Sequence, residues 1–299
     1  MRIIRFLKDN QQTQLAAVTD EQKIYELPFA NFLEIVSIAN QKNSTPKTMI
    51  RNIILQSLPL DVPIEQLKLR VPIESREVWA AGVTYEKSRD GRNYEATGGN
   101  SDTATFYDKV YDAERPEIFF KSTNYRTVGS GEDVYLRSDS NWQIPEPELG
   151  LVIDSKGDIL GFTIGNDMSC RDIEGENPLY LPQAKIWKNS CSIGPSIRLS
   201  ETVTDPYQFE IICRIYRNHQ KVFEGSGHTS QLKRKFSELV SHLVRDNVIF
   251  DGTILLTGTS IVPPNDFSLQ DGDKIEVEVP GIGILVNPVK KHVDQSLTI

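Results

Sequence analysis

The chain has 299 residues, 38% of them hydrophobic, and 33 Lys and Arg against 41 Asp and Glu give a formal net charge of −8. That length and apolar content can bury a sizeable core as one large domain with a smaller appendage, and the acidic balance without a long basic run argues against nucleic acid as a partner. No apolar run approaches the roughly 20 residues of a membrane span, and the N-terminus turns polar too soon for a secretory signal. Cys170, Cys191 and Cys213 are an odd number without CxxC spacing, which argues against a zinc cluster or a disulfide framework, so the expected compartment is a reducing cytoplasm. Met1 to Leu7 alternates as a strand does, Asp9-Asn10 signals a turn, and Thr13 to Val18 returns beside it. Asn31 to Ala39 and Thr48 to Leu58 carry apolar residues at helical spacing, the second ending near Pro59. Residues 1–70 are therefore expected as a small N-terminal α+β domain and 71–299 as a β-rich domain. After a Pro-containing crossing, Leu60 to Pro72, strands are expected at Glu77–Val83, Ile118–Lys121, Leu149–Ile153, Ile159–Ile164, Gln208–Tyr216, Val222–Glu224, Gly252–Thr257, Lys274–Val279 and Ile284–Pro288. One later helix is expected, Ser230 to Asp246, with Leu232, Phe236, Leu239, Val240, Leu243 and Val244 on one face. The fold class is α+β, mostly β, with a mixed, mainly antiparallel sheet as core and no repeat of about 20 to 50 residues. The polar tail after His292 is expected to fray.

The chemistry concentrates between residues 141 and 190. In a strand, residues i and i+2 share a face, so Glu146 and Glu148 of Glu146-Pro147-Glu148 project together. An exposed strand with alternating carboxylates has the same pattern, but Leu149-Gly150-Leu151-Val152-Ile153 suggests burial on both faces, where unpaired carboxylates are unfavourable. The turn signal Ser155-Lys156-Gly157-Asp158 folds Ile159 to Ile164 back as a hairpin, which returns Asp167 beside the first strand. Three hard oxygen ligands suit Mg²⁺ or Mn²⁺ rather than zinc. Other residues have competing readings. His219 and His242 fall on a turn and a helix and read as ordinary polar or cap residues. His228, in Gly225-Ser226-Gly227-His228-Thr229-Ser230, lies in a loop that either offers N–H groups to an anion or caps a helix through Thr229 or Ser230. Gly98-Gly99 and Gly129-Ser130-Gly131 are weak as phosphate loops. Lys121 is either a solvated strand lysine or a buried, metal-facing one, and Cys170 reads as a small buried hydrophobe.

From Pro147 to Pro195 the sequence resembles the fumarylacetoacetate hydrolase family. The resemblance rests on Glu146-x-Glu148 with its apolar strand, Asn166-Asp167-x-Ser169-x-Arg171-Asp172, Lys185 and Gly194-Pro195. Ala81-Gly82-Val83-Thr84-Tyr85, Ile118 to Lys121, Thr257-Gly258-Thr259 and Gln270-Asp271-Gly272-Asp273 extend it over roughly residues 75–290. It implies that Glu146, Glu148 and Asp167 hold the metal, with Lys185 and Arg171 in the pocket, Lys121, Tyr180, Thr257 and Thr259 near the substrate, and a homodimer or homotetramer as the assembly. Members that hydrolyse carbon–carbon bonds carry a water-activating His after the first strand, where this chain has Ser88, whose hydroxyl is not ionised at neutral pH. Ser88-Arg89-Asp90, the polar insertion from Asn93 to Asp108, Tyr111 to Glu117 and Asp172 to Pro178, with Glu174 replacing a glutamine common in the hydrolases, instead look like the branch that dehydrates 2-keto-3-deoxy sugar acids.

The chemistry implied is β-elimination. A 2-oxo acid chelated to Mg²⁺ has acidic C3 protons, and the C4 hydroxyl leaves as water from a metal-stabilised enolate once an acid protonates it. The candidate proton carriers are Lys185, Glu114 and Glu117, with Lys121 and Arg171 as anchors for oxyanions and Ser88 at the substrate. A pentonate would give 2,5-dioxopentanoate. The alternatives are an acylpyruvate-type carbon–carbon hydrolase, a 2-oxo diacid decarboxylase or isomerase, and a non-enzymatic 2-oxo acid binding protein.

Overall fold

The computed structural model describes residues 1–99 and 105–291. The tail after His292 and part of the polar insertion lie outside the described residues. The first segment contains β1 (Arg2–Leu7), β2 (Thr13–Val18), β3 (Ile24–Glu26), α1 (Phe32–Gln41), α2 (Pro46–Ile54) and β4 (Lys68–Arg70). Next come β5 (Glu77–Gly82), α3 (Glu86–Thr97), α4 (Phe106–Asp112) and β6 (Glu117–Thr123), then β7 (Thr127–Val128), β8 (Val134–Leu136) and β9 (Gln143–Ile144). The central stretch holds β10 (Pro147–Ile153), β11 (Ile159–Asp167), β12 (Ser169–Cys170), α5 (Arg171–Glu176), α6 (Leu181–Lys185) and β13 (Cys191–Leu199). The last third adds β14 (Glu210–Arg217), β15 (Gln220–His228), α7 (Phe236–Val244), β16 (Thr253–Leu256), β17 (Lys274–Val279) and β18 (Gly283–Lys291).

Eleven strands form the large sheet, ordered β3-β2-β1-β13-β11-β10-β16-β5-β6 with β4 on β1 and β7 on β13. Five more form a second sheet, β15-β14-β17-β18-β8, and β12 pairs with β9. Pairing is antiparallel except at β7–β13, β16–β5 and β18–β8, so the sheets are mixed and mainly antiparallel, as the sequence implies. Residues 1–70 join the large sheet through β1, which pairs with β13 as well as with β2 and β4. The strand at the centre explains the unbroken apolar run: Leu149, Leu151 and Ile153 pack on Ile211, Cys213, Ile275 and Val277 of the second sheet. Val152, pointing the other way, belongs to the core that α1 and α2 share through Phe32, Ile35 and Ile50. Both faces of β10 are covered, and each large aliphatic side chain so buried contributes roughly 1.5–3 kcal/mol.

Several elements depart from expectation. The expectation of a single later helix fails: α3 and α4 follow β5, and α5 and α6 follow β12. The side chains that α3 buries, Arg92 and Glu95, are charged, so it carries no apolar stripe for a helical period to reveal. α7 begins at Phe236, not Ser230, because the Lys233 N–H donates to the Thr84 carbonyl (3.0 Å) instead of to a helical ladder. β13 was not expected at all. The Gly225 to His228 segment is strand rather than loop, and His228 itself caps the short turn Thr229–Gln231, its Nδ1 accepting from the Ser230 N–H, which removes the anion-loop reading. Asn218 and His219 have φ of +50° and +62°, the geometry of a two-residue turn joining β14 to β15.

Candidate functional site

The β10–β11 hairpin sets Glu148 opposite Gly165 and Pro147 opposite Asn166, and the Asp167 N–H donates to the Glu146 carbonyl at 2.9 Å. Ligand oxygens of Glu146, Glu148 and Asp167 thereby lie within 4.8 Å of one another, all buried. Glu148 Oε2 accepts from the Gly258 N–H at 2.6 Å. Gly258 has φ of +93°, and a Cβ there would lie 1.9 Å from Thr84 Oγ1 and 3.0 Å from the Ala81 carbonyl oxygen, so only glycine lets this strand end close on the triad. Thr84 Oγ1 donates to the Thr257 carbonyl at 2.7 Å, and Val83 just before it has φ of +53°, a conformation that costs a β-branched residue about 1–3 kcal/mol and turns the chain from β5 into α3.

Two fully buried lysines close the triad. Lys121 Nζ lies 2.6 Å from Asp167 Oδ1 and donates to the Met168 carbonyl at 2.9 Å and to that of Lys185. Lys185 Nζ donates to Glu146 Oε2 and Ser169 Oγ, each at 2.6 Å, and stands 3.5 Å from Asp167 Oδ2 and 3.8 Å from Glu174 Oε1. Burial works against the Lys185 charge, but Asp167, Glu146 and Glu174 outweigh it and raise its pKa, so the side chain is an ammonium. Burial would likewise raise Glu146, yet Lys185 and Arg92 hold it down to about 2. Burial followed by repulsion from Asp167 and Glu146 pushes Glu148 well above the carboxylate range. Like charges in a dry site raise one another in this way, and a cation among them reverses it.

Around the triad stand Glu95, Glu117 and Glu174 with Arg92, Arg171, Lys121 and Lys185, six carboxylates against four cations. The all-oxygen donor set, and the mutual repulsion that raises Glu148 and that a cation would relieve, both fit a divalent ion of the Mg²⁺ or Mn²⁺ kind.

The remaining expected residues fall into two groups. Arg171 is 2% exposed; its Nε lies 2.9 Å from Glu95 Oε1 and its guanidinium 5.4 Å from the Trp142 ring centroid. Glu117 Oε2 is buried without a hydrogen-bond partner, and its carboxylate lies across Gly82 on the neighbouring strand. The Thr257 and Thr259 hydroxyls donate to the Leu149 and Ile261 carbonyls. Ser88 is half-buried on α3, Tyr180 is 37% exposed, and Glu114 is exposed with its carbonyl accepting from Arg234; these three are not brought against the triad. The Cys170 thiol, pushed up to about 12 by burial, packs as an apolar group. Arg92 and Glu95 escaped sequence reasoning, although Arg-x-x-Glu at 92–95 and again at 171–174 was the available signal.

A mainly antiparallel β scaffold that presents a dry carboxylate triad between two buried lysines defines a metal-dependent enzyme acting on an anionic small molecule. The family description for the C-terminal region of fumarylacetoacetate (FAA) hydrolase matches residues 88–290, and the chain belongs to that family. A 2-dehydro-3-deoxy-D-arabinonate dehydratase of Saccharolobus solfataricus is 48% identical over 243 residues, covering 81% of each chain. A probable 2-keto-3-deoxyxylonate dehydratase of Haloferax volcanii is 47% identical over 219 residues, covering 73% of this chain and 74% of the relative. A solved 2-keto-3-deoxy-D-arabinonate dehydratase complexed with magnesium and 2,5-dioxopentanoate superimposes with a TM-score of 0.82 at 38% identity, covering 98% of this chain and 99% of that one.

Proposed function

We propose that this protein is a Mg²⁺-dependent hydro-lyase that dehydrates a 2-keto-3-deoxy sugar acid, a pentonate giving 2,5-dioxopentanoate. The observation that carries the reading is the Lys185 ammonium held 2.6 Å from Glu146 beside a triad that could take a divalent ion. The likeness to two dehydratases at 48% and 47% identity supports the same chemistry. When bound at Glu146, Glu148 and Asp167, Mg²⁺ supplies Lewis acidity toward the 2-oxo acid.

The protein's own groups supply the proton transfers. Glu117, with a buried and unpartnered Oε2, suits acceptance of the C3 proton. Lys185, kept as an ammonium by three carboxylates, suits donation to the departing C4 hydroxyl. The C3–H and C4–O bonds break, a C3–C4 double bond forms and one water leaves. Moving a hydrogen from C5 to C3 and tautomerising the resulting enol then gives the aldehyde. Lys121 and Arg171 suit anchoring of substrate oxyanions, and burial makes each such contact stronger than in water. Thr257 and Thr259, on the strand end whose Gly258 N–H reaches Glu148, are assigned to substrate binding.

Among the described residues no helix is long and apolar enough to cross a membrane. We place the protein in the cytoplasm, where three buried free cysteines persist, and as a homodimer or homotetramer, since Leu55, Leu58, Tyr125 and Leu179 are all at least 75% exposed. A monomeric mass by light scattering at micromolar concentration would refute the assembly. For the reaction, the protein is incubated with Mg²⁺ and a 2-keto-3-deoxypentonate, or with an acylpyruvate. Formation of 2,5-dioxopentanoate supports the dehydratase; release of two smaller acids from the acylpyruvate alone overturns it.

A further inference from the structure

Two helices beside the triad carry matching charges. α3 has Arg92 and Glu95, α5 has Arg171 and Glu174, and the i,i+3 spacing puts each couple on one helical face. Arg92 Nη1 pairs with Glu174 Oε1, and Arg171 Nε lies 2.9 Å from Glu95 Oε1, so the two couples meet in antiparallel order. Glycine makes the approach possible. A Cβ at Gly175 would stand 2.7 Å from the backbone oxygen of Glu95, and one at Gly91 would stand 3.3 Å from Arg171 Nη2.

All four side chains are at most 4% exposed. Buried ion pairs add little net stability compared with apolar packing of the same volume, so holding two helices together does not by itself account for them. Glu174 Oε1, the atom that Arg92 engages, is also 3.8 Å from Lys185 Nζ, whose other partners are Glu146 and Ser169 at 2.6 Å and Asp167 at 3.5 Å. A continuous line of alternating charge therefore runs from α3 to a triad carboxylate through Arg92, Glu174, Lys185 and Glu146.

We propose that Arg92 is a positioning residue for the dehydration: it anchors Glu174 from α3 and thereby fixes where Lys185 Nζ sits beside the triad. The inference rests on the dehydratase reading above. Without the guanidinium, Lys185 is the nearest cation left to Glu174, which would draw the ammonium away from Glu146 and Ser169. Arg92 also faces Glu117, Glu95 and Glu146, and its guanidinium lies 5.5 Å from the Tyr107 ring centroid.

The test uses the intact protein with saturating Mg²⁺ and a 2-keto-3-deoxypentonate. Arg92→Met keeps an apolar stem and removes the charge; kcat should fall about 10- to 100-fold, the loss expected when a reacting group is misplaced by about an ångström. At saturating Mg²⁺ KM should stay within about threefold, and Arg92→Lys should recover part of the rate. Gly175→Ala keeps every side-chain charge but pushes α3 off α5, so by lengthening the Arg92–Glu174 contact it should lower kcat in the same direction. Unchanged kcat in Arg92→Met, or a loss confined to KM, overturns the proposal. Should Arg92→Met fail to fold, Glu174→Gln decides on the same terms, with a kcat-dominated loss expected and an unaltered kcat contradicting it. An inactive unaltered protein would overturn both readings, whereas an active one indifferent to Arg92→Met would overturn this inference alone.

Discussion

The β10–β11 hairpin and the α3–α5 pair both reach Lys185, and they are held by opposite means. In the hairpin, Leu149, Leu151 and Ile153 lock into one core and Val152 into another, so the backbone bearing Glu146, Glu148 and Asp167 is fixed by apolar packing that neither pH nor salt alters. α3 buries the charged side chains of Arg92 and Glu95 and is held by their contacts with Glu174 and Arg171, with Tyr94 edge-on to Trp142 at 6.4 Å. Carboxylates that gather around an ion must be in place before it arrives, and a rigid strand pair does that. A helix held by charge instead couples its own seating to the ionic state of the pocket it covers.

That contrast is tested first where the effect is largest. Removing divalent ions with EDTA should abolish turnover, by at least about 10³-fold given the several kcal/mol a Lewis acid supplies, and Mg²⁺ or Mn²⁺ should restore it. The hairpin should stay folded throughout, so far-UV circular dichroism should barely change; full activity in metal-free protein would break the account. Lys185→Met comes next, with a fall of about 10²- to 10⁴-fold in kcat at unchanged fold, the usual contribution of a general acid.

The charged half makes a different prediction, about stability. Burial first and Glu174 second push the Glu95 carboxyl up to about 8 from 4.5, despite Arg171 beside it. Its folded pKa is raised, so the native state holds the proton more tightly than the unfolded chain does. The stability it contributes is complete below about pH 4.5 and is lost as pH rises toward about 8. Glu95→Gln should flatten the decline of Tm across that window, and a decline identical to that of the unaltered protein would show that Glu95 does not titrate there. The smallest effect belongs to Ser88. It is half-buried on α3 and makes no hydrogen bond to the triad among the described residues, so Ser88→Ala should change kcat by no more than about threefold, well short of the ~10²-fold that a general base contributes.

The same contrast decides what the sequence reveals. Leu149 to Ile153 and Ile159 to Ile164 announce buried strands, a turn signal joins them, and carboxylates at their ends read at once as a ligand set, so the hairpin and triad were legible. α1 was legible for the same reason, its Phe32, Ile35, Val36 and Ala39 falling on one face. α3 was not, because the couples that seat it are charged and hydrophobic periodicity has nothing to detect. The start of α7 was misread for a third reason: Leu232 fits the helical period, but a tertiary hydrogen bond from Lys233 to Thr84 takes that stretch out of the helix. Glu114 and Glu117 could not be ranked by spacing. Strand pairing separates them, setting Glu117 over Gly82 while Glu114 remains exposed in the connection ahead of β6.

The most direct test of dehydration at this triad follows deuterium at C3 of a 2-keto-3-deoxypentonate by NMR, with Mg²⁺ present and then with EDTA. The account predicts that 2,5-dioxopentanoate forms with loss of C3 deuterium to solvent and a slowed rate, and that both stop when the ion is removed. Turnover that keeps the full C3 label, or that continues unchanged without a divalent ion, would contradict it.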